Sequence, residues 1–224
     1  MGQEYIRGLE INSLSGYPKN QLLFDDFEKD NARIVTGTGT GFAATRITTN
    51  SMTKGAALRV NTRVISAAIG DEVLASLPAL STPEGIVSVL VDFSLPTLLA
   101  ATQFNFTYGT FWKSYTVIAG FRWTDSTKRW SYLNSGGTWT EISTKEIRFT
   151  SDYFDRLTFS FDINTGKYIS CNVSGHAYSV SDLQIYKNLA GTTNLSGVDI
   201  QIVTENAASN IIVVDKIGAW NGEI

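Results

Sequence analysis

Apolar and polar residues alternate with a period of two along most of this chain. In residues 56–63, Leu58, Val60 and Thr62 alternate with Arg59, Asn61 and Arg63, the pattern of a strand with one buried face. Residues 86–95 (IVSVLVDFSL) are the clearest strand, and Phe104, Phe106 and Tyr108 share one side of 102–108. Residues 115–123 and 129–133 flank a polar turn at 124–128, and 139–142 follow the turn Asn134-Ser135-Gly136-Gly137. A second hairpin is predicted from 156–163, where Leu157, Phe159 and Phe161 point one way, through Asn164-Thr165-Gly166 into 167–173. Residues 22–28 (LLFDDFE) open the strand series, and 198–204 and 211–220 close it. About ten to twelve strands at regular spacing predict an all-β sandwich or barrel.

Three segments depart from this pattern. Residues 64–77 place Ile65, Ala68, Ile69, Val73, Leu74 and Leu77 near one helical face and end at Pro78, which predicts one short helix. Residues 1–20 are polar and broken by Gly2, Gly8, Gly16 and Pro18, so they read as an N-terminal arm before a single domain spanning 21–224. Gly37, Gly39 and Gly41 sit in a GTGTG run, but no GK[ST] follows; a flexible turn accounts for it better than a phosphate loop.

Composition supports the β reading. Charged residues are only 17% of the chain, and Thr, Ser, Gly, Asn and aromatics fill the difference. The net charge of -3 is spread without a basic block, which argues against nucleic acid as a partner. Cys171 is the only cysteine, so no internal disulfide forms, and it reads as a small buried strand residue. The first residues have neither a basic nor an apolar signal-peptide region, and no stretch approaches the length of a membrane span. The expectation is a protein made in a cytoplasm that stays there or leaves inside a virion, with the Asn105, Asn172 and Asn194 glycosylation triplets as chance patterns.

Four pieces occur in a telling order: Asp25-Asp26-Phe27-Glu28, then Gly55 with Leu58-Arg59-Val60, then the 156–168 hairpin, then Val214–Trp220 (VDKIGAW). In this order the chain resembles concanavalin A-like and galactose-binding-like jelly rolls, the group that includes many carbohydrate-binding modules. The resemblance implies a two-sheet antiparallel jelly-roll β-sandwich with its first and last strands side by side. In several such modules a calcium ion ties the opening acidic strand to the closing Asp. The equivalents here are Glu28 and Asp215, with Asp26 as a third, and the plainer alternative is ordinary exposed acids at strand ends. Asp162-Ile163-Asn164-Thr165-Gly166 has some look of a calcium loop, but lacks the other ligands and reads as a hairpin turn.

Catalytic sets are hard to assemble. Glucanases on a similar sandwich use E-x-D-x-x-E; Glu28 and Asp30 begin it, but Arg33 stands where the second Glu belongs. His176 is the only histidine and no G-x-S-x-G accompanies it, so neither a Ser-His-Asp triad nor a multi-histidine zinc site is indicated. The remaining chemical resource is aromatic. Trp130, Tyr132 and Trp139 lie around the 134–137 turn beside Arg129, Asn134 and Glu141, either as core or as a surface for ligand. The leading expectation is a non-catalytic virion-associated protein, such as a phage capsid decoration, spike or fibre module, that assembles with other subunits through its arm. A carbohydrate-binding module that holds glycans with Arg129, Trp130, Tyr132 and Trp139 is the alternative, and a glycoside hydrolase of the same fold the second.

Overall fold

A computed structural model describes residues 21–28, 33–38, 42–48, 55–62, 68–79, 83–97, 102–150, 153–189, 196–204 and 210–222. In chain order the strands are β1 (Gln21–Asp25), β2 (Ile34–Gly37), β3 (Ala43–Ile47), β4 (Ala57–Asn61), β5 (Glu72–Pro78) and β6 (Ile86–Thr97). They continue with β7 (Thr102–Trp112), β8 (Tyr115–Thr124), β9 (Arg129–Leu133), β10 (Trp139–Glu141) and β11 (Asp155–Asp162). The last are β12 (Lys167–Val173), β13 (His176–Tyr178), β14 (Tyr186–Leu189), β15 (Gly197–Thr204) and β16 (Ile211–Asn221).

Two eight-stranded sheets result. The first runs β13-β12-β11-β6-β16-β4-β3 with β1 beside β16; the second runs β10-β9-β8-β7-β15-β5-β2 with β14 beside β8. Every pairing is antiparallel. The first and last strands lie side by side as expected: Leu23 stands opposite Ala219 and Asp25 opposite Ile217. The N-terminal arm lies outside the described residues.

The period of two decides which side chains are enclosed. Val87, Val89, Val91 and Phe93 of β6 face Leu157, Phe159 and Phe161 of β11 along one sheet. Phe104, Phe106 and Tyr108 of β7 do the same with Trp123, Phe121 and Ala119 of β8. These rows meet between the sheets, with Phe93 4.9 Å from Phe106 and Phe121 5.2 Å from Phe159. Cys171 belongs to the same core, and burial pushes its thiol far above the ordinary range. Tyr168 crosses the core from β12. Its hydroxyl lies 2.9 Å from the Gly120 N–H, which it accepts, and 2.9 Å from the Leu133 carbonyl, to which it donates. Gly120 falls between the residues of β8 that pair β9 and those that pair β14, so this hydroxyl serves a backbone group at a break in the ladder.

The helix expected over 64–77 is overturned. Ala68 and Asp71 close a tight turn around Gly70, whose φ is +87°, and β5 follows with strictly alternating burial. Val73, Ala75 and Leu77 point inward while Glu72, Leu74 and Ser76 point out. Leu74, apolar on the outer side, created the false helical face. Residues 63–67 lie outside the described set.

Candidate functional site

Paired residues of an antiparallel sheet share a face, so the register maps the outer side of the β10-to-β2 sheet. Asn105 on β7 stands opposite Arg122 on β8 and opposite Gln201 on β15. Gln201 stands opposite Leu74 on β5, two residues from Glu72. Each of the three central polar residues sits between two core residues: Phe104 and Phe106, Phe121 and Trp123, Ile200 and Ile202. Alternation therefore forces them outward.

These side chains form a continuous hydrogen-bonded line. Arg122 Nε donates to Asn105 Oδ1 at 2.7 Å, Asn105 Nδ2 donates to Gln201 Oε1 at 2.7 Å, and Gln201 Nε2 donates to Glu72 Oε2 at 2.8 Å. At the other end the Arg122 guanidinium lies 4.4 Å from the ring centroid of Trp139, a cation–π contact. Arg129 pairs with Glu141 at 3.0 Å beside them. From β10 to β5 the row crosses five strand spacings, or about 24 Å. Asn105 is 2% exposed and holds the centre, whereas Arg122, Gln201, Glu72 and Trp139 are half-buried. Asp199, two residues from Gln201 on the same face, has its carboxyl held above the usual range by burial, with a Ser76 hydrogen bond opposing the shift.

The expected aromatic cluster divides between the two faces. Trp130 is 0% exposed, enclosed by Phe93, Phe106 and Phe149, so its ring has no open side for a ligand. Tyr132 shares that inward face and meets Tyr168 edge-on at 5.8 Å. The period-two reading that joined Trp130 to Tyr132 holds; the core claims both because they stand opposite Trp123 and Phe121. Trp139 and Arg129 lie outside, on the face with Arg122. Asn105, Gln201 and Glu72 escaped the sequence reading because only the strand order joins them.

Two of the acids expected to hold calcium, Asp26 and Glu28, accept backbone hydrogen bonds. Asp26 Oδ1 accepts the Glu28 N–H at 3.3 Å, Glu28 Oε1 accepts the Ala56 N–H at 3.2 Å, and Arg46 donates to the carbonyls of Phe27 and Glu28. A Cβ on Gly55 would fall 1.4 Å from Glu28 Oε1, so the glycine makes room for this carboxylate. Asp215 lies in a register shift between Val214 and Lys216 and is fully buried. Among the described residues, no group of three or more His, Cys, Asp or Glu gathers that could hold a metal ion. Asp162 caps its hairpin by accepting from Asn164 N–H and Thr165 Oγ1, as a turn requires.

His176 meets Tyr178 edge-on at 4.8 Å and lies 3.3 Å from Lys145 Nζ, at the exposed edge formed by β13.

No protein-family model and no curated protein matches the sequence. Solved structures do resemble it. One is a carbohydrate esterase from the Shiga toxin-encoding bacteriophage phi24B, with 12% identity, 85% of this chain and 90% of that chain covered, and a TM-score of 0.57. Another is an immunostimulatory antigen and pseudo β-1,3-glucanase of Mycobacterium tuberculosis, with 8% identity, 91% and 100% coverage, and a TM-score of 0.58. A third, from Bacillus subtilis, has a galectin-like fold, with 11% identity, 90% and 96% coverage, and a TM-score of 0.55. These likenesses agree with a two-sheet antiparallel jelly-roll β-sandwich, of the concanavalin A-like or galactose-binding-like kind, as the fold.

Proposed function

We infer that this chain is a non-catalytic carbohydrate-binding β-sandwich, and that the outer face of the β10-to-β2 sheet is its ligand surface. The observation carrying this is the line Trp139–Arg122–Asn105–Gln201–Glu72, in which an aromatic platform fixes a guanidinium and successive amides end at a carboxylate. Such a line offers donors and acceptors at strand spacing, the chemistry that suits rows of sugar hydroxyls. Because each group is already held by its neighbour, little side-chain freedom is lost on binding. Support from the fold neighbours is general: several are named for carbohydrate chemistry.

The test is a neutral-oligosaccharide array followed by calorimetry on wild type and Arg122→Ala. Wild type should retain a defined subset of glycans. The variant should bind them about tenfold or more weakly, the scale of a lost charge-assisted hydrogen bond, with a melting temperature within a few degrees of wild type. Absence of any captured glycan, or equal binding by the variant, defeats the reading. Release of reducing sugar from a captured glycan would replace binding by hydrolysis. A place on a phage particle is compatible with glycan binding. It is tested by sizing the full chain against a form lacking residues 1–20, where assembly predicts that only the full chain is oligomeric.

A further inference from the structure

The β7–β8 hairpin ends in an unusual tip. Trp112 and Tyr115 close it as a pair, and Lys113 and Ser114 between them have φ of +47° and +67°. A two-residue turn with both φ positive strongly favours Asn-Gly, because residues with a larger side chain are strained there. Strain of this kind persists where a side chain is needed at that point. Lys113 Nζ lies 4.2 Å from the Trp112 ring centroid, and Lys187 Nζ, from neighbouring β14, lies 5.0 Å from the same ring and 4.9 Å from that of Tyr115. Two ammonium groups are thus gathered on one aromatic pair. Among the described residues neither lysine forms an ion pair, and residues 108–118 contain no acid. Leu189, opposite Tyr115, is 71% exposed beside them.

We propose that this tip is an anion-binding site that grips the sulfate or carboxylate groups of an acidic polysaccharide, separate from the row on the sheet face. The rings, packed on the edge of the core, fix the two cations, and the cations supply the charge recognition. An acidic polymer suits two lysines because it repeats its charge along its length and can re-engage after each release. An anionic membrane suits them less, since polybasic lipid contacts use clusters of four or more cations, and the whole chain carries -3.

Binding of the full chain to immobilised dextran sulfate and to uncharged dextran, at low and high salt, reads this site. Wild type should prefer the sulfated polymer and lose that preference as salt rises. A Lys113→Gln/Lys187→Gln variant should bind dextran sulfate about tenfold more weakly, with neutral-glycan binding by the sheet face unchanged. A Lys113→Asn/Ser114→Gly variant should melt at a higher temperature than wild type and still lose affinity, separating the site from any loss of folding. No sulfate preference in wild type, or undiminished binding by either variant, overturns the proposal. So does retention of wild type on phosphatidylserine vesicles in the absence of any dextran sulfate binding.

Discussion

The outer faces of the two sheets are made from the same alternating strands and reach opposite ends. On the β13-to-β3 sheet, the outward residues Ser88, Asp92, Ser94, Val213 and Trp220 are each less than 5% exposed. Asp92 and Ser88 are closed by neighbours in the same sheet. Arg156 reaches across to Asp92 with bonds of 2.6 and 2.8 Å, Ser88 meets Ser160, and the Trp220 ring lies so close over Gly218 that a Cβ there would approach it to 2.6 Å. On the β10-to-β2 sheet the polar outward residues bond along the face in a line, and all but the buried Asn105 at its centre remain half-open. An outward polar residue is thus not by itself a site. One face spends its polarity on self-closure, and the other displays it.

The sharpest break in this comparison contrasts two tryptophans. Trp130→Ala removes a fully buried ring from the packing around Phe93, Phe106 and Phe149 and should cost about 3–5 kcal/mol, read by urea unfolding. Trp139→Ala, on the open face, should cost about 1 kcal/mol or less and act instead on glycan affinity through Arg122. Equal destabilisation by both would mean that the outer row is core-like and not a display.

Next comes the closed face itself. Asp92→Ala strips Arg156 of a two-bond partner across β6 and β11 and should destabilise by about 2–3 kcal/mol. Glycan binding should be untouched. Loss of binding in Asp92→Ala at a temperature where the protein stays folded would erase the distinction between the two faces.

How far the sequence carried this picture follows from the range of the information. The outer strands at the two ends of the chain, the β11–β12 hairpin and the inward rows were legible because period-two alternation and turn residues are local. The helix expected over 64–77 failed because Leu74 is apolar on an outer face, where alternation alone gives no warning. The placement of the aromatic cluster was half legible: proximity to the 134–137 turn grouped Trp139 and Arg129, which share the outer face, with Trp130 and Tyr132, which face the core. The polar row was illegible in principle from local pattern. Asn105, Arg122 and Gln201 each announce themselves as a polar residue between two apolar ones, yet only the order β8-β7-β15 brings them together. The Glu28–Gly55 contact shows the same limit from the other side. Both residues were singled out, Glu28 as a calcium candidate and Gly55 as part of a motif, and the structure packs them against each other at the corner after β1.

The finest test of the open face is its pH response. Burial raises the Asp199 carboxyl above the value it has in an unfolded chain, so its ionised form is less comfortable folded than unfolded. Above the raised folded value both states are ionised and the full cost is present. As pH falls through that value the folded state takes up its proton first, and the cost shrinks until, below the ordinary aspartate value of 3.8, both states are protonated and it is gone. Asp199→Asn keeps a side chain that can bond to Ser76 and removes the titration. The variant should therefore be the more stable protein at neutral pH, and its advantage should fade as the solution is acidified, followed by thermal melts across that window. A constant advantage at all pH would assign the effect to packing, and an advantage growing toward acid would reverse the sign of the burial argument for this whole face.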